Sequence, residues 1–239
     1  MSTNPLLIAL DVDSVARAVE TAALLHGVVG GLKVGKQLFV SEGPQIVETL
    51  TARGERVFLD LKFHDIPNTV AGAVRAATRI GTWMLNVHAS GGREMMRAAI
   101  DAAGEEATRL GRPRPLVIAV TVLTSIDAAT LQSVGVTRPL IDQVEALAVL
   151  ARESGLDGVV ASAQEATRIR AACGPDFLIV TPGIRPSATK TDDQARTLTA
   201  GQAIAAGATH LVVGRPVLQA SNPRTAAEQL TEEIRLALA

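Results

Sequence analysis

Residues 116–120 read LVIAV, an unbroken apolar run rich in β-branched side chains. Similar runs occur as LIAL at 7–10, FLIV at 177–180 and LVV at 211–213. Continuous apolar runs of this length are typical of parallel strands that are covered on both faces. The segments between them are Ala-rich and have helical periodicity, which predicts an α/β fold with alternating strands and helices.

Eight strand segments are predicted along the chain. They are expected at Leu6–Asp11, Gly31–Val34, Arg56–Lys62, Met84–His88, Leu116–Leu123, Gly158–Ala161, Phe177–Thr181 and His210–Val213. Eight strands in 239 residues favour a (β/α)8 TIM barrel over a doubly wound sheet, which usually has five or six strands. No Pro-, Gly- or Ser-rich linker divides the chain, so we expect a single barrel domain over residues 1–239.

Helical segments follow the predicted strands. They are expected at Val15–Leu25, Pro44–Arg53, Val70–Ile80, Glu94–Ala103, Ile141–Glu153, Gln164–Ala172, Thr199–Ala206 and Thr225–Leu238. Ser14, Asn68 and Ser162 are predicted to cap three of them. The longest stretch without a predicted element is GIRPSATKTDDQART at 183–197, a βα loop at the active-site face of a barrel, which we expect to be mobile.

Composition excludes several classes of protein. Lys plus Arg number 23 and Asp plus Glu 24, and the chain has four Phe, one Trp and no Tyr, so a nucleic-acid partner is not expected. Cys173 is the single cysteine, which rules out an internal disulfide and a Cys-based zinc site. With no signal-peptide pattern and no run of 18 apolar residues, we expect a cytoplasmic protein without a membrane partner.

The strongest local signal is VFLDLKFHDIPNT at 57–69. Asp60 and Lys62 are two residues apart on a predicted strand and therefore point to the same face, and Asp65 follows past the strand end. One interpretation is a structural ion pair, since a buried Asp and Lys are costly unless paired. The other is a lysine kept in its ammonium form by carboxylates, suited to protonating a carbon on which negative charge develops. Lys33 supplies a second cation at the end of the second strand.

A second signal points to an anion. VVGRPV at 212–217 places Gly214 and Arg215 at the end of the eighth strand, directly before the predicted final helix. Backbone N–H groups and a guanidinium at this position form the phosphate site common in barrels. Arg185 and Gln194, in the 183–197 loop, are expected to close over the same anion.

These segments together resemble the orotidine 5′-phosphate decarboxylase family, in its bacterial form. The resemblance extends over essentially the whole chain and follows the family order. Its matching segments are ALDVDS (9–14), LKVGKQLF (32–39), VFLDLKFHDIPNT (57–69), NVHASGG (86–92), AVTVLTS (119–125), GLDGVV (155–160), VTPGIRP (180–186) and VVGRPV (212–217).

The resemblance implies a homodimeric barrel that needs no cofactor and no metal. It implies conversion of orotidine 5′-monophosphate to uridine 5′-monophosphate and CO₂, the last step of de novo pyrimidine synthesis. The implied charged array is Lys33, Asp60, Lys62 and Asp65 of the partner subunit. In it Asp60 lies beside the substrate carboxylate, and Lys62 stabilises and protonates the carbanion at C6.

The resemblance also implies the groups that bind the rest of the substrate. The ribose is implied to be contacted by Asp11 and Lys33 and, from the partner subunit, by Asp65 and Thr69, and Thr124 contacts the pyrimidine edge. The phosphate is implied to be held by Arg215, the Gly214 N–H and Gln194, with Arg185 close by and the 183–197 loop closing over it.

Two other functions remain open. One is a phosphate-sugar barrel resembling 3-keto-L-gulonate 6-phosphate decarboxylase or hexulose-phosphate synthase, which use Mg²⁺ held partly by an acidic residue at the end of strand two. Lys33 at that place argues against a metal. The other is a non-catalytic nucleotide-binding barrel, which gains nothing from carboxylates near an anionic ligand. We expect His88 to be a buried histidine and His64 to orient the turn after Lys62.

Overall fold

The barrel predicted from the sequence is confirmed. The computed structural model describes residues 4–184 and 198–238. Eight parallel strands pair in chain order, and pairing of the last with the first closes the barrel. The strands are β1 (Leu6–Ala9), β2 (Gly31–Gly35), β3 (Val57–Phe63), β4 (Met84–His88), β5 (Leu116–Val120), β6 (Gly158–Val160), β7 (Leu178–Pro182) and β8 (His210–Val213).

Helices surround the barrel and connect its strands. They are α1 (Val15–Leu25), α2 (Lys36–Glu42), α3 (Gln45–Thr51), α4 (Pro67–Arg79), α5 (Gly92–Leu110), α6 (Ala128–Ser133), α7 (Leu140–Glu153), α8 (Ala166–Cys173), α9 (Ala200–Ala205), α10 (Arg215–Leu218) and α11 (Pro223–Leu238). Within the described ranges, no helix has the length and apolar character needed to cross a membrane.

Two of the three predicted helix caps are confirmed. Ser14 accepts a hydrogen bond from the Arg17 N–H at the start of α1, and Ser162 forms a capping box in the turn before α8. The prediction for Asn68 is wrong, because α4 has Ile66 as its N-cap and begins with Pro67 at its first position. Proline suits that position because the first N–H groups of a helix have no intrahelical acceptor.

Three short helices were not predicted from the sequence: α2, α6 and α10. They have four to seven residues, too few turns for hydrophobic periodicity to be recognised. The predicted 183–197 segment lies mostly outside the described residues. At its edges Ile184 pairs with Leu198 in an isolated parallel bridge.

The core consists of two layers separated by the sheet. A small inner cluster fills the barrel and includes Leu7, Phe58, Met84 and Ile118. A larger outer cluster lies between the strands and the helices, so every strand is apolar on both faces over much of its length. This double burial explains the continuous apolar runs in the sequence.

Aromatic and basic side chains stack at the amino-terminal end of the barrel. The Arg56 guanidinium lies 5.6 Å from the centre of the Trp83 ring, and the Trp83 and His210 rings are 5.8 Å apart. Burial, with a smaller contribution from the Arg56 charge, lowers the pKa of His210 to about 4. His210 is therefore neutral near pH 7, and the stack avoids a second charge beneath the core.

Gly158 of β6 pairs with Leu178 of β7 and has no room for a side chain. A Cβ at this position would lie 2.3 Å from the Leu178 carbonyl oxygen, which belongs to the neighbouring backbone. A Cβ at Gly104, within α5, would lie 3.8 Å from the Arg114 Cδ, which is an ordinary van der Waals distance.

We predict opposite effects of the same substitution at these two glycines. Gly158→Ala forces two paired strands apart and should lower the free energy of unfolding by about 1–3 kcal/mol. Gly104→Ala replaces glycine inside a helix and should raise it by about 0.5–1 kcal/mol. Urea unfolding monitored by circular dichroism measures both, and a neutral Gly158→Ala would contradict the strand spacing described here.

Candidate active site

A cavity of about 360 Å³ opens at the carboxyl ends of the strands. This volume lies within the range typical of small-molecule sites. Its walls combine apolar residues of the barrel interior with charged and polar side chains at the mouth. The lining residues are Ala9, Asp11, Lys33, Phe58, Asp60, Lys62, Val120, Val122, Leu123, Thr124, Ser125, Val160, Val180, Pro182, Gly183, Val212, Gly214 and Arg215.

The carboxylate of Asp60 lies between two ammonium groups. The Lys62 Nζ donates a hydrogen bond to Asp60 Oδ1 at 2.6 Å, and the Lys33 Nζ lies 3.4 Å from Oδ2. The side chains of Asp60 and Lys33 are only 13% and 12% exposed. The three side chains therefore meet in one charged group at the carboxyl ends of β2 and β3.

An irregularity in β3 produces this arrangement. Leu59 pairs with Leu85 of β4, but the next pair is Phe63 with Val87, so three residues of β3 lie opposite one residue of β4. Lys62 has φ 55° and is the sole non-glycine residue with positive φ in the described part of the chain. The regular alternation assumed from the sequence is therefore interrupted at the residue that contacts Asp60.

Asn86 is the β4 residue opposite this irregularity. Its side-chain amide donates to Asp60 Oδ1 at 2.7 Å, and its oxygen accepts the Lys62 backbone N–H at 2.8 Å. It is 1% exposed. Sequence reasoning did not select Asn86, although an amide in the centre of the apolar strand MLNVH is a recognisable signal.

The environment of Asp60 favours its charged form. Burial raises the pKa of this carboxyl, but the nearby Lys33 and Lys62 charges and the hydrogen bonds from Lys62 and Asn86 outweigh burial. The net result is a pKa below the ordinary value. Asp60 is therefore an anion at neutral pH, and it is held as one by its neighbours.

Other predicted site residues line the same cavity. Asp11 Oδ1 lies 3.6 Å from the Lys33 Nζ, which extends the charged array to β1. Gly214 follows β8, and a Cβ there would come within 3.1 Å of Asp11 Oδ2, so a larger residue would crowd that carboxylate. Arg215 and Thr124 also line the cavity. Their roles in binding remain predictions.

Four predicted site residues are not placed in this cavity. Asp65 accepts the Ile66 N–H at 2.7 Å in the turn before α4, and Thr69 lies in the first turn of α4. Both are exposed and neither is among the lining residues. Arg185 and Gln194 lie outside the described residues.

The two histidines beside the site form a ring pair. The His64 and His88 ring centres are 5.4 Å apart, with His64 exposed and His88 partly buried. Burial, followed by the charges of His64, Lys62 and Lys36, lowers the pKa of His88 to about 4. His88 is therefore neutral near pH 7. Within the described ranges, no three His, Cys, Asp or Glu side chains are grouped as ligands of a metal would be.

The closed barrel and its charged mouth define a (β/α)8-barrel protein with its functional site at the carboxyl ends of the strands. The family model described as "Orotidine 5'-phosphate decarboxylase / HUMPS family" matches residues 4–230. The chain belongs to this family.

Individual relatives agree with the family match. Proteins named orotidine 5'-phosphate decarboxylase are similar over nearly their full length. One, from Chromohalobacter salexigens, is 56% identical over 97% of this chain and 96% of its own. Another, from Alkalilimnicola ehrlichii, is 54% identical over 98% of this chain and 97% of its own. The crystal structure of orotidine 5'-phosphate decarboxylase from Lactobacillus acidophilus has a TM-score of 0.86 and 37% identity, covering 97% of this chain and 99% of that chain.

The lowered pKa of Asp60 predicts how stability depends on pH. A carboxyl with a lowered folded-state pKa contributes stability above its ordinary pKa and loses it as pH falls through the folded value. Asp60→Asn should therefore lower the free energy of unfolding by about 1–3 kcal/mol above about pH 5. The difference from wild type should shrink towards pH 3 in urea titrations, and a difference independent of pH would contradict this electrostatic account.

Proposed function

We propose that the chain decarboxylates orotidine 5′-monophosphate to uridine 5′-monophosphate and CO₂, the last step of de novo pyrimidine synthesis. The names of its relatives support the reaction. The observation that carries the proposal is the anionic Asp60 held between Lys33 and Lys62 inside a cavity of suitable size.

The proposed chemistry uses Asp60 and Lys62 in sequence. Asp60 lies beside the carboxylate of the substrate and disfavours the charge of that group until CO₂ leaves. The bond from C6 to the carboxylate carbon breaks, and its electron pair stays on C6. The Lys62 ammonium stabilises that pair and then gives C6 a proton, becoming a neutral amine. Preorganised charge of this kind is commonly the largest contribution to catalysis.

Other lining residues hold the parts of the substrate that do not react. Asp11 and Lys33 bind ribose hydroxyls, and Thr124 contacts the pyrimidine. Arg215 and the Gly214 N–H bind the phosphate, together with Arg185 and Gln194. Phosphate binding far from C6 supplies energy that orients the reacting end.

We propose that the site is completed by a second copy of the chain. Asp65 lies on the exposed turn before α4 and Thr69 at the start of that helix, and neither is among the residues that line the cavity of their own subunit. Ile66 between them is an apolar side chain that is 67% exposed, and covering it with a second copy would be favourable. In such a dimer Asp65 of the partner subunit would join the Lys62 site.

The two alternative functions predict different behaviour. A metal-dependent phosphate-sugar enzyme of the same family would lose activity in EDTA. Lys33 argues against this alternative, because it occupies the strand-two position at which those enzymes carry an acidic ligand. A non-catalytic nucleotide-binding barrel would bind the nucleotide and leave it unchanged. Incubating the protein with orotidine 5′-monophosphate, with and without EDTA, and following its absorbance distinguishes all three.

Replacement of Lys62 tests the proposed mechanism. Lys62→Ala removes both the stabilising charge and the proton donor, so kcat should fall by at least about 10³-fold. The circular dichroism spectrum should stay that of the wild type. A kcat near the wild-type value would rule out Lys62 as the proton donor.

Mixing two inactive variants tests the shared site. If Asp65 acts across the interface, a Lys62→Ala chain paired with an Asp65→Ala chain has one doubly damaged site and one intact site. Random pairing makes about half of the dimers mixed, so about a quarter of all sites should be intact. Co-refolding should therefore restore about a quarter of wild-type activity.

The control for this experiment is the composition of the mixture. Native mass spectrometry on chains of slightly different mass establishes that mixed dimers form. If they form and the mixture stays as inactive as its parents, Asp65 serves its own subunit and the shared-site proposal is wrong.

A further inference from the structure

We propose that Asn86 is a positioning residue that fixes the Lys62 ammonium against the Asp60 carboxylate. This inference rests on the proposed function, since it concerns how the proton donor is held. Asn86 does not line the cavity, so it acts through the two residues it contacts.

The two partners of Asn86 require an amide. The Asp60 carboxylate accepts, so the Asn86 atom facing it must donate, and the Lys62 backbone N–H donates, so the other Asn86 atom must accept. An uncharged amide supplies both atoms on a side chain of this size, whereas an ionised carboxylate can only accept. Aspartate would place an oxygen against the oxygen of Asp60, and leucine would leave both partners without a bond.

The backbone of Lys62 provides an independent reason. A positive φ at a residue with a long side chain is unfavourable and persists only where its surroundings impose it. The Asn86 oxygen bonds to the N–H of that very residue. The Asn86 amide therefore holds both the backbone of Lys62 and Asp60 Oδ1, which is the oxygen that also accepts a hydrogen bond from the Lys62 Nζ.

Position 86 can be compared with its neighbour on β4. Asn86 faces the barrel interior, whereas Val87 is fully buried in the outer core between sheet and helices. Val87→Ala truncates an equally buried side chain on the same strand without removing any contact to Lys62 or Asp60. It is the matched control for a loss of stability alone.

We expect Asn86→Ala to lower kcat by about 10–100-fold, the size of effect that a misplacement of about 1 Å can cause. KM should change by less than about threefold, because no substrate contact is removed. Val87→Ala should keep kcat within about twofold of wild type at a similar loss of stability. Equal losses of kcat in both variants would reduce Asn86 to a structural role and overturn the proposal.

Asn86→Asp gives a second, isosteric test through its pH profile. The new carboxyl would face Asp60 and Lys62, with Lys33 and His88 nearby. Two adjacent carboxylates disfavour ionisation of one of them, so a proton shared with Asp60 restores the missing donor at lower pH. The ratio of variant to wild-type kcat should therefore rise several-fold as pH falls from 8 to 5, and a constant ratio would overturn the proposal.

Hydrogen exchange at the Lys62 amide separates this inference from the proposed reaction. Its exchange rate, measured by NMR, should rise at least about tenfold in Asn86→Ala and stay near wild type in Val87→Ala. If the wild-type protein does not turn over orotidine 5′-monophosphate, the proposed function fails and this measurement still decides whether Asn86 holds Lys62. Equal exchange rates in the two variants would overturn the inference.

Discussion

The contact on which the site depends is that between the Asp60 carboxylate and the Lys33 and Lys62 ammonium groups. Burial of a carboxylate at this depth is unfavourable by itself, and the pKa of Asp60 stays low because two cations and an amide surround it. Removing one partner would leave buried charge without compensation. The backbone irregularity at Lys62 and the Asn86 amide both bear directly on this group.

The apolar contacts that stabilise the barrel and the charged cluster at its mouth lie in different parts of the structure. The inner cluster fills the barrel below the cavity, and the outer cluster attaches the helices to the strands. These apolar contacts hold in place the strands that carry the charged side chains at the mouth. The carboxyl ends of β1, β2 and β3 converge there, so Asp11, Lys33 and Asp60 meet although they are far apart in sequence.

Much of this arrangement was predictable from the sequence, and the exceptions have physical causes. Apolar runs such as 116–120 predicted the strands, and the Asp60–Lys62 spacing predicted a shared face. The irregularity at Lys62 was not predicted, because periodicity assumes regular pairing and register depends on β4. Asn86 was missed for the same reason: its partners become evident only when β3 and β4 lie side by side.

The stacked Arg56, Trp83 and His210 side chains and the inner core above them close the barrel at its amino-terminal end. Among the described residues, the cavity is therefore closed below and open at the carboxyl ends of the strands. Under the proposed function, the substrate enters and both products leave past the same charged side chains, so the group that performs the reaction also borders the exit path.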